Sequence, residues 1–440
     1  MSREELDDAV GCGRGQAGVE VTDRAGSQGD GSDRGGGTPR VPALDGFRAY
    51  ALLAIVLVHL IGAAGILPEL SGTTGGVVLW SVFGNSIDAF FMISGFVLFL
   101  PTIARRGEFG SAARFWILRG ARLLPAYWLV MAAALLALVL FPPEIVYPVP
   151  PFESVLAHLT VMQSPVRIFD PGISPGFGLV GPVWMVSVVV CFYLLLPFVA
   201  GSYYRHPLIG LAVAAAITAG WKGAVSRVPE VFEAVSNGSV SDLTVRLIAV
   251  DQFPGWAFSF GLGLTGAWAY VWLRERYEPG QLARAALRLA PVILLLYAYG
   301  AYLYGSTTLD FPGRIGPAAR SEVLDTMFGS LFRAAVIGIV ILGPLWMQRP
   351  FVNRVTNRLA ELSYGVYLIH IPLVIYAASL LDLPRDGSLG ALAIWVAVIV
   401  PPSLVFAALS RRYIEQPVLR SVKRRLRSSP PTREALPSPG

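Results

Sequence analysis

Cysteine is nearly absent: the 440 residues hold two, Cys12 and Cys191. Cys12 lies in a polar, glycine-rich stretch and Cys191 in an apolar one, which excludes a disulfide framework as the source of stability. Charge is scarce too, at 15% Asp, Glu, Lys and Arg, where a soluble domain carries about one-quarter. No basic, then apolar, then small-residue pattern opens the chain, so no secretory signal peptide is expected. There is no internal repeat and no polar stretch long enough for a large soluble domain. What fills the chain is apolar: 54% of residues are hydrophobic and mean hydropathy is +0.58. This is the composition of a multi-pass membrane protein. The net charge of +6 does not point to nucleic acid, because the arginines punctuate apolar spans, where they act as topology signals and headgroup contacts.

Residues 1–40 contain 10 glycines and eight acidic residues. They cannot bury a core, and a disordered cytoplasmic tail is expected there. A second tail, basic and then Pro/Ser-rich, is expected over 420–440. Between them, 41–419 form the membrane domain. A spanning helix needs about 20 mostly apolar residues. Ten such stretches occur, near 45–66, 77–100, 122–141, 179–200, 207–224, 254–273, 288–305, 326–347, 363–381 and 390–410. The stretch 152–163 is too short to span and reads as a re-entrant or interfacial helix. With the N-terminus inside, the inside loops carry about three times the Lys and Arg of the outside loops, as the positive-inside rule requires. The expected architecture is therefore all-α, about ten transmembrane helices in the cell membrane, with both termini cytoplasmic.

Several polar residues interrupt the apolar spans. Arg48 and His59 stand 11 residues apart in "LDGFRAYALLAIVLVHL", which is about three turns plus 20° of helix, so both project from one face roughly 16 Å apart. Such groups are costly against lipid, so that face should look into the bundle. A neutral imidazole can take a proton from a hydroxyl, and a guanidinium can hold an anionic group arriving from the cytoplasm. The bland alternatives are a headgroup anchor for Arg48 and a helix–helix hydrogen bond for His59. Arg119 and Arg122, spaced i, i+3 ahead of Pro125, suit a phosphate or pyrophosphate, or are plain flanking charge. Pro125 signals a helix start or a kink nearby. Asp88 is an intramembrane acid that could partner a histidine, and Ser94-Gly95 reads as a close-packing notch. Tyr364, Tyr367 and His370 form a slanted stripe in "LSYGVYLIH". Glu415 and Pro417 in "RRYIEQPVLR" read as a helix stop with charge anchoring.

Taken together, these segments resemble the acyltransferase type 3 family of bacterial integral-membrane O-acyltransferases. The Arg48/His59 pair is similar to that family's Arg-x10-His signature. "DAFFMISGF", "LRGARLLPAYW", "GPVWMVSVVVCFYLLLP", "LSYGVYLIH" and "YIEQP" follow in the family's order over about 41–420. The resemblance implies transfer of an acyl group from acyl-CoA, usually acetyl-CoA, used as co-substrate with no permanently bound cofactor and no metal. The acceptor would be a hydroxyl of a cell-envelope glycan or glycolipid. It implies His59 and Arg48 as the essential first-span pair and Arg119 and Arg122 in the donor site; Asp88 is expected at the catalytic centre as an available acid, and Arg48 also on the donor. Ser94, Trp184, Tyr367 and His370 are then the expected substrate contacts. One departure stands out: where many relatives carry a glutamate before the Phe-Tyr of span four, this chain has Val189. Two other readings stay open at this point, O-acylation of a glycosylated natural product such as a macrolide and a proton-coupled transporter or flippase. An acyl-enzyme on Ser94 is a further mechanistic alternative to direct transfer. Membrane lipids are expected partners, nucleic acid is not, and oligomeric state is left open.

Overall fold

The computed structural model describes residues 40–67, 73, 86–143, 149–235, 248–308 and 319–428, all within one compact unit. The N-terminal tail with Cys12, the first part of the expected second span and the end of the C-terminal tail lie outside the described residues. Among those described there are helices and no strands. The long ones are α1 (Pro42–Ala63), α2 (Ser86–Ala104), α3 (Ala112–Leu140), then a short α4 (Phe152–Leu159), followed by α5 (Trp184–Arg205), α6 (Pro207–Arg227), α7 (Ala257–Arg276), α8 (Pro279–Thr308), α9 (Ala319–Leu342), α10 (Arg354–Leu380), α11 (Leu389–Ser410) and α12 (Gln416–Ser428).

Among the described residues, eight helices are long and apolar enough to cross a membrane: α1, α2, α3, α5, α6, α8, α10 and α11. Large apolar side chains on their outer faces stay exposed, among them Leu136, Phe198, Leu208, Leu295 and Val405. An apolar exterior on helices that satisfy their own backbone groups suits lipid as the surrounding solvent. The protein is a multi-pass membrane protein. The other two expected spans coincide with α7 and α9, which fall short of the same threshold. Their polar and small residues face neighbouring helices. A Cβ on Gly263 of α7 would run into the Met92 carbonyl of α2, and one on Gly95 of α2 would lie 2.6 Å from the Phe260 carbonyl. Glycine here lets two backbones touch, so the notch expected at Gly95 is real and has a counterpart in α7.

The helix ends depart from the sequence expectation in instructive places. Helix α3 starts ten residues before the expected 122, because Ser111 caps it by accepting the Arg114 N–H at 3.2 Å. Arg119, Arg122 and Pro125 are therefore interior to one helix, and Pro125 does not start it. Helix α10 starts at Arg354, set by a capping box between Asn353 and Thr356, a reciprocal bond that satisfies two orphan donors. The stop expected at Pro417 does not occur. The chain passes through one π-helical turn, Arg411–Glu415, and continues as α12. Pro417 directly follows that π-helical turn, whose wider register is the irregularity that admits a proline within a continuing helix. Residues 420–428, expected to be disordered, are helical and pack with the rest of α12 against α3.

Candidate active site

Helix α1 packs against α10, α2 and α11, so its polar face looks into the bundle. At the start of α1, Arg48 reaches Asp45 only loosely, at 3.5 Å, while Asp45 is held at 2.8 Å by Arg40. Arg48 lies within electrostatic reach of Arg122 and Arg119 on α3. Guanidinium groups from two helices thus influence one another at the start of α1. Tyr193 of α5 acts on Arg48 and Arg119, and Glu415 acts on Arg122. Tyr193 was not singled out from the sequence, because nothing in the spacing links it to α1 or α3, and Glu415 was read there only as part of a helix stop with charge anchoring. Glu415 is half-buried and accepts a hydrogen bond from Ser410 at 3.0 Å, so it is part of the packing around the arginines and more than an anchor.

Three turns further along α1 lies His59, half-buried. Its Nδ1 is 2.7 Å from the Ile55 carbonyl. A carbonyl oxygen only accepts, so Nδ1 carries the proton and donates it, which leaves Nε2 as the unprotonated nitrogen. Among the described residues no protein group hydrogen-bonds Nε2. Across the helix interface stands His370 of α10, fully buried, with ring centroids 5.2 Å apart. Its Nε2 is 3.4 Å from His59 Nδ1, and its Nδ1 is 2.8 Å from the Tyr367 carbonyl.

Several expected site residues sit elsewhere or are already engaged. Asp88 accepts 2.8 Å hydrogen bonds from Ser330 and from Arg333 Nε, both on α9, and is 1% exposed. The expected histidine partner is replaced by arginine, because α2 packs against α9 at that level. Asp88, expected at the catalytic centre, is one half of a buried ion pair with Arg333. Tyr367 is buried and its hydroxyl donates to the Pro182 carbonyl. His370 is also fully buried, and the polar atoms of both expected substrate contacts have partners within the protein. Tyr364 likewise donates to the Leu123 carbonyl at 3.0 Å. Trp184 is half-buried and stacks on Trp256 at 6.0 Å. Ser94 is half-buried on α2 beside the Gly95 contact. Val189 is half-buried and packs on the core as a valine should. Arg333 and Lys222, both inside apolar helices, were detectable as intramembrane charges and were missed. Lys222 is buried, donates to Thr326 at 3.2 Å and lies over the Trp256 ring.

The short segment expected over 152–163 packs against the middle of α3. Tyr127 donates to the His158 carbonyl at 3.0 Å and Trp128 to that of Leu159 at 3.1 Å. His158 is itself buried, 2.6 Å from the Ser154 carbonyl through Nδ1, and accepts the Gly176 N–H at 2.8 Å through Nε2. Burial pushes its pKa below the usual 6.5. Both ring nitrogens are used, so this histidine pins the loop and does no chemistry.

The comparison that decides the family is a match of residues 41–411 to the Acyltransferase domain model, Acyl_transf_3. The chain belongs to this acyltransferase family. Peptidoglycan O-acetyltransferase OatA of Listeria monocytogenes is 23% identical over 403 residues, 87% of this chain and 56% of its own length. YrhL of Bacillus subtilis, provisionally assigned by name to the same activity, is 25% identical over 88% of this chain and 56% of its own length. Nodulation protein 10 of Rhizobium leguminosarum bv. viciae is 27% identical over 86% of this chain and 92% of its own length. The acyltransferase chain thus spans little more than half the length of the first two relatives. No solved structure matches it.

Proposed function

We propose that the protein is a membrane O-acyltransferase that moves an acetyl or other short acyl group from acyl-CoA to a hydroxyl of a cell-envelope glycan. One observation carries the reading: His59 presents an unprotonated Nε2 on the helix whose other end brings Arg48 to Arg119 and Arg122. The phosphates of CoA need guanidinium groups, and a base is needed where the hydroxyl reacts. His59 Nε2 takes the hydroxyl proton as the oxygen attacks the thioester carbonyl. The tetrahedral intermediate expels the CoA thiolate, and the imidazolium returns the proton to it. Nothing is left on the enzyme, so no acyl-serine at Ser94 is required. Family membership supports acyl transfer, and the names of two relatives support a glycan hydroxyl as acceptor. In this reading both termini lie in the cytoplasm, on the excess of Lys and Arg in the inside loops, which puts the arginines at the cytoplasmic side.

The test is acyl transfer in membranes supplied with labelled acyl-CoA. His59→Ala is expected to lose about 10²- to 10⁴-fold in rate, the usual share of a general base. Arg48→Ala is expected to lose activity mainly through weaker donor binding. Label reaching an acceptor at the normal rate in His59→Ala membranes sinks the reading.

A further inference from the structure

We propose that His370 is the positioning partner of His59, an acceptor held in one tautomer so that the neighbouring imidazole can become positively charged during the reaction. This rests on His59 being the base. His370 Nδ1 faces the carbonyls of Tyr367 at 2.8 Å and Val366 at 3.2 Å, so Nδ1 carries the proton and Nε2 carries the lone pair. That lone pair faces His59 Nδ1 at 3.4 Å. Nδ1–H of His59 is already committed to Ile55 at 2.7 Å. The Ile55 carbonyl, however, also accepts the backbone N–H four residues on, which is that of His59 itself. It is a shared acceptor, and His370 Nε2 supplies the second one.

The arrangement admits one protonation pattern. A proton on His370 Nε2 would put two N–H groups nose to nose across 3.4 Å, within a site where His370 is fully buried. His370 therefore stays neutral and does not take the substrate proton. When His59 gains a proton at Nε2, its Nδ1–H becomes a stronger donor, and the His370 lone pair stabilises it. The second role is angular. With Nδ1 tied to Ile55 and braced by His370, Nε2 points in a fixed direction. Around the pair, Tyr367 is the titratable neighbour from α10, its ring 6.0 Å from His370, and Asp251 acts on Tyr367. The other titratable groups of α1, Asp45, Arg48 and Tyr50, lie about two and a half to four turns away, and Asp88 of α2 is paired with Arg333. No carboxylate hydrogen-bonds either ring among the described residues.

The effect should be smaller than that of a charged orienting carboxylate, whose loss costs about 10⁴-fold. For His370→Phe, which keeps ring volume and removes the lone pair, kcat is expected to fall about 10- to 100-fold with the donor KM unchanged. The acid limb of the pH–rate profile should move to lower pH, because the protonated base is less stabilised. His370→Gln can place its amide oxygen near the old Nε2 position and should restore most of the rate. Should the Phe variant fail to fold, His370→Asn tests the same point, since its shorter amide does not reach His59. A second measurement needs no turnover: the pH dependence of His59 carbethoxylation by diethylpyrocarbonate, read by mass spectrometry, should shift to lower pH in the same variants. If His59→Ala is inactive while the Phe or Asn variant has the wild-type rate and pH limb, the inference is overturned and the base assignment survives. If His59→Ala remains active, the base assignment itself falls.

Discussion

Polar residues inside an apolar helix can serve chemistry or architecture, and their partners separate the two. Asp88 and Arg333 are joined at 2.7–2.8 Å, with Ser330 as a third member. Removing one half of a buried pair leaves an uncompensated charge, which costs about 3–5 kcal/mol. Asp88→Asn is therefore expected to lower the thermal unfolding midpoint of the detergent-solubilised protein markedly while sparing turnover per folded molecule. The double variant Asp88→Leu with Arg333→Met should recover most of that loss, because two apolar side chains of similar volume need no partner. Turnover lost in step with nothing but the carboxylate would return Asp88 to the catalytic centre. His158 makes a pH-dependent claim of the same kind. Its pKa is depressed by burial, so the unfolded chain binds the proton first as pH falls below about 6.5. Stability is fully present above 6.5 and is lost as pH falls from there through the folded-state value. Thermal melts between pH 7.5 and 5 should show this decline, and His158→Gln should flatten its local contribution.

At the scale of elements, what could be read from sequence was periodicity, and what could not was pairing. The Arg48/His59 face follows from helical geometry alone, and so does the small-residue notch at Gly95. Gly263, its counterpart, lies 168 positions away in sequence, and His370 lies 311 from His59. No local pattern states that α2 meets α7 or that α1 meets α10. The same limit explains Asp88: its partner is chosen by α9, not by any residue near it in sequence. Helix ends were misread where a cap outweighed hydropathy, as at Ser111 and Asn353, and where a proline followed a π-helical turn, as at Pro417. Close approach of α2 and α7 yields its own prediction. Gly263→Ala places a methyl group against the Met92 carbonyl, so the helices must separate. Phe91 and Phe260, packed 4.9 Å apart, would lose contact. Overpacking of this kind costs about 1–3 kcal/mol or more, and the yield of folded protein on size-exclusion chromatography should fall. A Gly220→Ala variant, with open space around the position, is the matched control.

Across the whole molecule, the arrangement separates two tasks along one helix. The arginines gather at the start of α1, and the imidazole pair lies about 16 Å deeper. An acyl donor with charged phosphates and a long neutral arm matches that spacing better than a compact donor would. On the proposed donor, the phosphates would stay with Arg48, Arg119 and Arg122, while the thioester would reach the bundle interior, where water that would hydrolyse it is scarce. Two consequences can be measured. Removing the phosphates from the donor should cost the wild-type protein most of its discrimination: acyl-pantetheine should need about 10- to 100-fold higher concentration than acyl-CoA for the same rate, the effect of lost charge-assisted bonds at about 1.5–3 kcal/mol each. The Arg119→Ala, Arg122→Ala double variant should lose most of that discrimination, with Arg48 keeping the remainder. In proteoliposomes of defined orientation, donor supplied on the face bearing these arginines should support transfer and donor on the opposite face should not. Equal transfer from both faces would mean that the arginines do not mark the donor entrance, and that the polar face of α1 is loaded by another route.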